Sequence, residues 1–436
     1  MVPPEQTRRA AGTPIGGQFA STSRPKTTTL SLESDADPAR SLPEPIWPPI
    51  SFESHPWESN AAGISRTEWK ATRGPYVAAV VPQIASVHDI QLPGDVRVLA
   101  EEAATEIARF DAELGHDIAP FSAVLLRSES AASSKIENLT ASARAIAIAE
   151  LGDRSRPNAT LIVSNTKAMR AAIELANRLD SEAVVAMHGA LLGDSNREWT
   201  GEWRDQQVWI GGRNSPHTAR FVPPHHDRVP AAMDDLVAFM ARDDLPVVVQ
   251  AAIAHAQFET IHPFPDGNGR VGRAIIHSLL RGKGLTRTIT VPVSAGLLTD
   301  TSTYFDALDS YRSGDPVPIV QQLSDASLRS IDNGRHLAAD LRSIRQGWTE
   351  SIRARSDSTA WKLADVLLRQ PVVSSSLVQG ELGVTVSNSF RAIKRLVEAG
   401  VLNEVRGTRR NQLWEAQHVT AALDAFAERA GRRRNT

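Results

Sequence analysis

Residues 262–273 read HPFPDGNGRVGR, and nearly every residue type in this stretch has chemistry to offer. PDGNG is turn chemistry, because Gly267 and Gly269 supply backbone freedom that no other residue has. A glycine-rich loop running into a helix N-terminus aims several backbone N–H groups at one spot, with the helix dipole behind them. That makes an anion site. Arg270 and Arg273 lie three apart at the start of RVGRAIIHSLLRGKG, so on a helix they share a face and can grip phosphate oxygens. Asp266 is a hard oxygen ligand beside that site, suited to Mg2+ bridging two phosphates. His262 is the one group here whose ordinary pKa suits a general base near neutrality. Together these parts would hold a Mg2+–nucleotide in the loop while His262 deprotonates an incoming hydroxyl. A lone DGNG between two helices is an ordinary turn; the whole series argues for a reaction.

The elements that must position these residues read as helices. PVVVQAAIAHAQFETI, immediately before His262, is apolar nearly all round and fits a buried helix. From 94 to 138 apolar residues recur three and four apart, in DVRVLAEEAATEIARFDAEL and, after a GHD break, in APFSAVLLRSESAASSKIENL. NTKAMRAAIELANRL and SEAVVAMHGALL continue the pattern between 154 and 242, and further helices run to about residue 345. Within 201–224, the run QQVWI followed by GG and NSP turn signals predicts a short hairpin. The first 45 residues are rich in Pro, Ser, Thr, Gly and charge, and read as a disordered tail. No internal repeat is evident. The fold class expected is mainly α.

Composition sets the outer limits. The 436 residues suffice for two or three domains, and 41% hydrophobic with 22% charged residues is ordinary for a globular protein. The net charge of −2 confines any nucleic-acid binding to a local patch, and the absence of cysteine excludes disulfides, thiolate metal sites and cysteine nucleophiles. There is no apolar run of about 18 residues for a membrane span, and the N-terminus lacks the apolar core of a secretory signal. A cytoplasmic protein without membrane contact is expected.

Residues 262–273 also fit His-x-Phe-x-(Asp or Glu)-Gly-Asn-Gly-Arg-x-x-Arg at every fixed position, and on this signature the chain resembles the Fic family. SSKIEN, GEWRDQQVWIGG, ARFVPP and VPVSAGLL are similar to further family landmarks, so the resemblance covers roughly residues 75–330. It implies an all-helical Fic core with a short β-hairpin flap that transfers AMP from ATP to a Ser, Thr or Tyr hydroxyl of a target protein or of itself. Carried over, His262 is the base and Phe264 an apolar anchor of the nucleotide-binding loop, which includes Pro263 and Pro265. Asp266 binds Mg2+; Gly267, Asn268 and Gly269 form the anion cradle; Arg270 and Arg273 hold the outer phosphates. Val208, Trp209, Ile210 and Gly211, within QVWIGGRN, are the flap that pairs with the target's backbone by strand addition. Gln257 and Tyr304 are candidates for contacting the adenosine. HHD at 225–227 offers imidazoles and a carboxylate, yet it follows a Pro pair without a further ligand and reads as a solvated loop.

The resemblance also implies a brake. Ser133-x-x-x-Glu137-Asn138 resembles the family's inhibitory-helix motif, in which Glu137 reaches Arg273 and keeps it from the γ-phosphate. Ser134 to Glu137 has capping-box spacing as well, but the apolar pattern places a helix already under way before Ser134. Two other readings stand beside the enzyme: a DNA-binding regulator whose core senses nucleotide without turnover, and a remover of AMP in which Glu137 positions water.

Residues 359–436 change style. WKLADVLLRQ, SSSLVQGEL and VSNSFRAIKRLVEAG read as three helices, and VLNEVRGTRRNQLWEA as two strands around a basic tip, the order of a winged helix. From 361 to 436 there are 12 Lys+Arg against 7 Asp+Glu, a local +5 in a chain of −2. DNA contact would fall to Ser387, Asn388, Arg391 and Lys394 on the third helix and to Arg406, Arg409 and Arg410 on the wing. Protein contact or homodimerisation is the other use of such a module. The domains expected are a tail (1–45), a Fic N-terminal region with the inhibitory helix (46–150), the catalytic core (151–330), a connecting segment (331–358) and the winged-helix module (359–436).

Overall fold

The computed structural model describes residues 47–57, 72–115, 120–193, 200–212, 215–405 and 412–431. The expected tail, the Asn214 end of the flap, the wing residues Arg406, Arg409 and Arg410 and the RRRN of the terminal GRRRN lie outside them.

The chain is mainly helical with two small antiparallel sheets. Strands β1 (Ser51–His55) and β2 (Tyr76–Val80) pair with Ser51 opposite Val80. There follow α1 (Gly94–Gly115), α2 (Pro120–Ile136), α3 (Ala143–Glu150), α4 (Pro157–Glu174) and α5 (Ser181–Leu192). Next come α6 (Val229–Ala241), α7 (Val247–Ile261), α8 (Asn268–Gly282), α9 (Val293–Leu297), α10 (Thr301–Arg312) and α11 (Val317–Ser351). The last part holds α12 (Thr359–Arg369), β3 (Val372–Ser374), α13 (Ser375–Leu382), α14 (Val386–Glu398), β4 (Asn403–Val405), β5 (Leu413–Glu415) and α15 (Gln417–Ala430). Its sheet runs β3-β5-β4.

Helix α7 is the axis of the core. Every residue from Val248 to Ile261 is buried, as its all-round apolar sequence requires, and α1, α6, α8, α10 and α11 pack around it. Helix α2 lies against α4, α8, α9 and α12. Its Glu129 is fully buried, accepting from His277 Nε2 at 2.8 Å, Ser294 N at 2.9 Å and Ser294 Oγ at 2.5 Å. That one carboxylate fixes α2 against α8 and α9.

Three expectations change. The hairpin within 201–224 is not a regular strand pair. Ile210 and Phe221 form a single bridge, and a short 3-10 turn, Pro216–Thr218, lies between them. Gly211 and Gly212 both have positive φ and turn the chain straight after Ile210, while Pro223 and Pro224 cannot donate to a ladder. The expected break at 330/331 falls inside α11, one helix of 35 residues whose buried face continues through Leu341 to Trp348. The C-terminal stretch has a further strand, β3, and a long amphipathic helix, α15, that packs back on α3 and α11.

Glu129→Ala should lower stability by about 1–3 kcal/mol, the usual consequence of leaving buried donors, here on His277 and Ser294, without their acceptor. Urea denaturation monitored by circular dichroism measures it, and a loss under 1 kcal/mol would mean that Glu129 does not anchor α2.

Candidate active site

Helix α7 stops at His262 because Pro263 follows, and a residue before proline avoids the right-handed helical conformation. His262 adopts φ 51° and ψ 60° instead, a left-handed geometry uncommon outside glycine that swings its imidazole onto the cavity wall. Pro263 to Gly267 then form a tight loop pinned from several sides. Phe264 is fully buried and stacks on His188 with ring centroids 3.8 Å apart. His188 Nε2 donates to the Asp266 carbonyl at 3.1 Å. The Asn268 amide closes the loop, accepting from Phe264 N at 2.9 Å and donating to Phe264 O at 2.7 Å. Its side chain is thus spent on shape, which leaves backbone N–H groups to form the cradle.

Arg204, to which the sequence assigned no role, holds the whole turn. Its backbone N–H donates to Pro263 O at 2.9 Å, and its guanidinium donates to the carbonyls of His262 (2.9 Å), Gln206 (3.0 Å) and Pro224 (2.5 Å). The signal was faint: an arginine inside GEWRDQQVWIGG, destined for a buried site where carbonyls are its partners.

Helix α8 begins at Asn268, with Gly267 at φ 84° before it and no side chain capping its first turn. These backbone donors face a cavity of about 390 Å³, of ordinary size for a ligand site. Its walls bring together His262, Asp266, Arg270, Arg273, Glu137 and Tyr304. Arg270 is buried, 3.5 Å from Asp266 Oδ2, and its Nε and Nη1 have no protein acceptor. Arg273 is 1% exposed; Nε donates to Ser133 Oγ and Nη2 to Ser133 O and Glu137 Oε1, each at 2.9 Å. Burial works against the charge of Arg273, yet its pKa is raised, chiefly by Glu137.

Glu137 stands just beyond the C-terminus of α2, where Asn138 turns the chain with φ 61° and Leu139 N bonds back to Ser134 O at 3.0 Å. The capping-box alternative is therefore excluded, since this is a helix end and not a start. Asn165 on α4 steadies that end through Ser130 O at 2.9 Å and Ser134 Oγ at 3.1 Å. Glu137 Oε1 lies so close over Gly269 that a Cβ there would run into it.

The other named residues divide. Tyr304 lines the cavity while its hydroxyl meets His255 Nε2 at 2.8 Å, so it is both core and wall. Gln257 does not reach the cavity: its amide donates to Pro82 O at 2.9 Å and accepts from Tyr311 OH at 2.8 Å. Five residues along a helix is a rotation of about 140°, which turns it away from His262. Trp209 and Ile210 line the cavity, with Val208 and Gly211 on either side in sequence. His225, His226 and Asp227 converge, with donor atoms within 4.8 Å of one another, but away from this cavity's walls. Glu259 and Arg312 belong to the wall and were not foreseen.

Burial, helped by Arg204 and Arg312, depresses the His262 pKa to about 3. The imidazole is neutral at physiological pH and free to accept a proton. The arrangement is an uncapped helix N-terminus, chemically suited to an anion, with a neutral imidazole at its edge. Residues 178–280 match the Fic/DOC family. Ser133 and Glu137 lie outside that matched segment. The chain is 27% identical over 158 residues to protein adenylyltransferase fic-1 of Caenorhabditis elegans (36% of this chain, 28% of that protein). It is 30% identical over 152 residues to protein adenylyltransferase Fic of Drosophila willistoni (34% of this chain, 28% of that protein). The similarity thus spans little more than a quarter of these relatives. A Fic family protein from Desulfovibrio desulfuricans G20 aligns in structure with a TM-score of 0.47 and 22% identity, covering 75% of this chain and 97% of its own. No helix among the described residues is long and apolar enough to cross a membrane.

Burial also holds His188 near pKa 4 and His255 near 3, and raises Glu259 to about 7. Between pH 6.5 and 4.5 the unfolded chain protonates the three histidines His188, His255 and His262, whereas the native state does not. Glu259 acts in the opposite sense, because the native state protonates it first. The balance is about two protons in favour of the unfolded chain, so stability should fall with decreasing pH across this window, by up to about 2–3 kcal/mol per unit. Urea midpoints at pH 7, 6 and 5 test this, and a flat profile would contradict buried neutral histidines.

Proposed function

We propose that the protein is an adenylyltransferase that moves AMP from ATP to a hydroxyl of a target protein, or of itself, and that Glu137 restrains it. The observation that carries this reading is the convergence of His262, Asp266, Arg270 and Arg273 around the uncapped start of α8 in one cavity. In the reaction the target oxygen bonds to the α-phosphorus, the bond to the β-phosphate bridging oxygen breaks, and pyrophosphate leaves. His262 takes the hydroxyl proton. The α8 N-terminus, Arg270 and Arg273 meet the charge of the phosphates, so catalysis is chiefly positioning and charge stabilisation. Asp266 fits a Mg2+ role, since its carboxylate faces the cavity and its nearest cation is Arg270 at 3.5 Å. Bound Mg2+ would neutralise phosphate charge. Trp209 and Ile210, in the cavity lining, suit a flap that receives the target's backbone.

Restraint follows from the Arg273 contacts. A charge-assisted bond of this kind contributes about 1.5–3 kcal/mol, enough to cut productive ATP binding ten- to a hundredfold. In residues 359–431 the helix–turn–helix followed by a small sheet supports a winged helix, and a DNA-binding role is favoured by Ser387 and Arg391, exposed on α14, with Asn388 between them. We place the protein in the cytoplasm.

Transfer of label from [α-32P]ATP with Mg2+ should be weak in the wild type, rise at least tenfold in Glu137→Gly and vanish in Glu137→Gly/His262→Ala. Equal labelling by wild type and Glu137→Gly would remove the restraint from this account. Loss of label from a pre-adenylylated target in the wild type alone would favour AMP removal. For the C-terminal module, retardation of a DNA fragment that weakens steeply with salt is the expected result; none at low salt would leave protein contact.

A further inference from the structure

Glu259 lies one helical turn before His262, three residues earlier, and therefore on the same face of α7. Its side chain is 9% exposed in the wall of the same cavity, and its Oε2 is 4.0 Å from His262 Nδ1. His262 Nδ1 and Glu259 Oε1 are both sealed from solvent without a close hydrogen-bond partner, and the Glu259 backbone carbonyl acts on the His262 ring in the sense that favours its protonated form. A buried ring nitrogen and a buried carboxylate oxygen without close partners are each unfavourable, and the two side chains adjoin here through Oε2, while the orphaned Oε1 faces Gly272. Space for the carboxylate comes from Gly272, where a Cβ would lie 2.9 Å from Glu259 Oε1 and 3.0 Å from Phe258 Cδ1. The third glycine of HPFPDGNGRVGR is thus explained by packing and not by the anion cradle.

We propose that Glu259 is a positioning residue for His262: it accepts the Nδ1–H, fixes the tautomer that leaves Nε2 as the proton acceptor, and stabilises the imidazolium formed when the target hydroxyl is deprotonated. The inference rests on the adenylyl-transfer reading for its catalytic half only. A 4.0 Å separation is not a hydrogen bond, but catalytic contacts in ligand-free enzymes are often long and tighten when the complex forms. The proton balance is simple. It leaves the hydroxyl for Nε2, Nδ1 keeps its own, and the positive charge sits beside the carboxylate, as in other carboxylate–histidine pairs.

Other charged or titratable groups around Glu259 are Arg273 on α8, Glu137 after α2, and Arg312 on α10, whose Nη2 is 3.5 Å from the Glu259 carbonyl. His255 on α7 approaches the same Gly272. Arg273 and Arg312 favour the carboxylate form of Glu259, whereas burial and Glu137 oppose it. The negative charge of Glu137 beside Arg273 therefore keeps Glu259 closer to neutral, and moving Glu137 away would favour the charged carboxylate.

The test has two arms on the full chain. In the first, 15N-histidine NMR of the ligand-free protein, with the His262 signal assigned by His262→Asn, reads the tautomer directly. We expect Nδ1–H in the wild type, the same in the isosteric Glu259→Gln, and a shift towards Nε2–H in Glu259→Leu. An unchanged tautomer in Glu259→Leu would overturn the positioning role, whatever the enzyme transfers. In the second, Glu137→Gly/Glu259→Gln is compared with Glu137→Gly in adenylyl transfer. A 10- to 100-fold lower kcat with KM for ATP within twofold is expected, as for loss of a charge-assisted contact. An unchanged kcat would overturn imidazolium stabilisation. If Glu137→Gly transfers no label, the adenylyl reading fails, and the tautomer arm alone decides Glu259.

Discussion

A guanidinium sealed inside a protein must have oxygen acceptors, and the geometry of this site follows from meeting that requirement for Arg273. Desolvating such a charge without partners costs several kcal/mol. Arg273 obtains two bonds from Ser133 and one from Glu137, all from the end of α2. The position of that helix end therefore sets the surroundings in which Arg273 on α8 is buried. Glu129 one way along α2, and Asn165 from α4, keep it there.

The loop between α7 and α8 solves a second problem, that of holding a largely buried turn rigid without a β-ladder. Its carbonyls are taken by Arg204 and His188, its one buried amide is Asn268, and Phe264 fills the space beneath. Every side chain pointing inward maintains shape, which frees the backbone donors pointing outward. Such pre-organisation is what electrostatic stabilisation of a phosphate needs, because the donors do not reorient when charge arrives.

Much of this was legible in the sequence, and the failures have physical causes. Contiguous chemistry was clear: the spacing of His262, Asp266, Arg270 and Arg273 fixes their common cavity because a short loop and one helical turn leave little freedom. Helix periodicity placed α7 and α8 well. Contacts distant in sequence were less clear. Arg204 looks like any charged residue until the carbonyls around it are known. Gln257 was misjudged by proximity in sequence, where rotation about the helix decides. Glu259 hid inside an apolar run, where a lone carboxylate disturbs the pattern little. The hairpin at 201–224 failed because two consecutive glycines with positive φ end pairing after one bridge.

Helix α11 and the residues around α2 change what kind of object the chain is. Arg127 on α2 donates to Arg369 O at 2.5 Å and Gln370 Oε1 at 3.1 Å, and pairs with Glu150. Gln370 reaches Ala147 O at 3.1 Å, and Asp424 on α15 accepts from Ala143 N at 2.8 Å. Asn333 on α11 donates to Phe426 O at 3.1 Å. The last part of the chain is thus built into the first as brickwork is bonded at a corner, with courses from each wall alternating. A cut near residue 358 would leave α2 and α3 with orphaned polar groups and bare apolar faces. A truncated fragment would accordingly carry the motif without the masonry that aligns it.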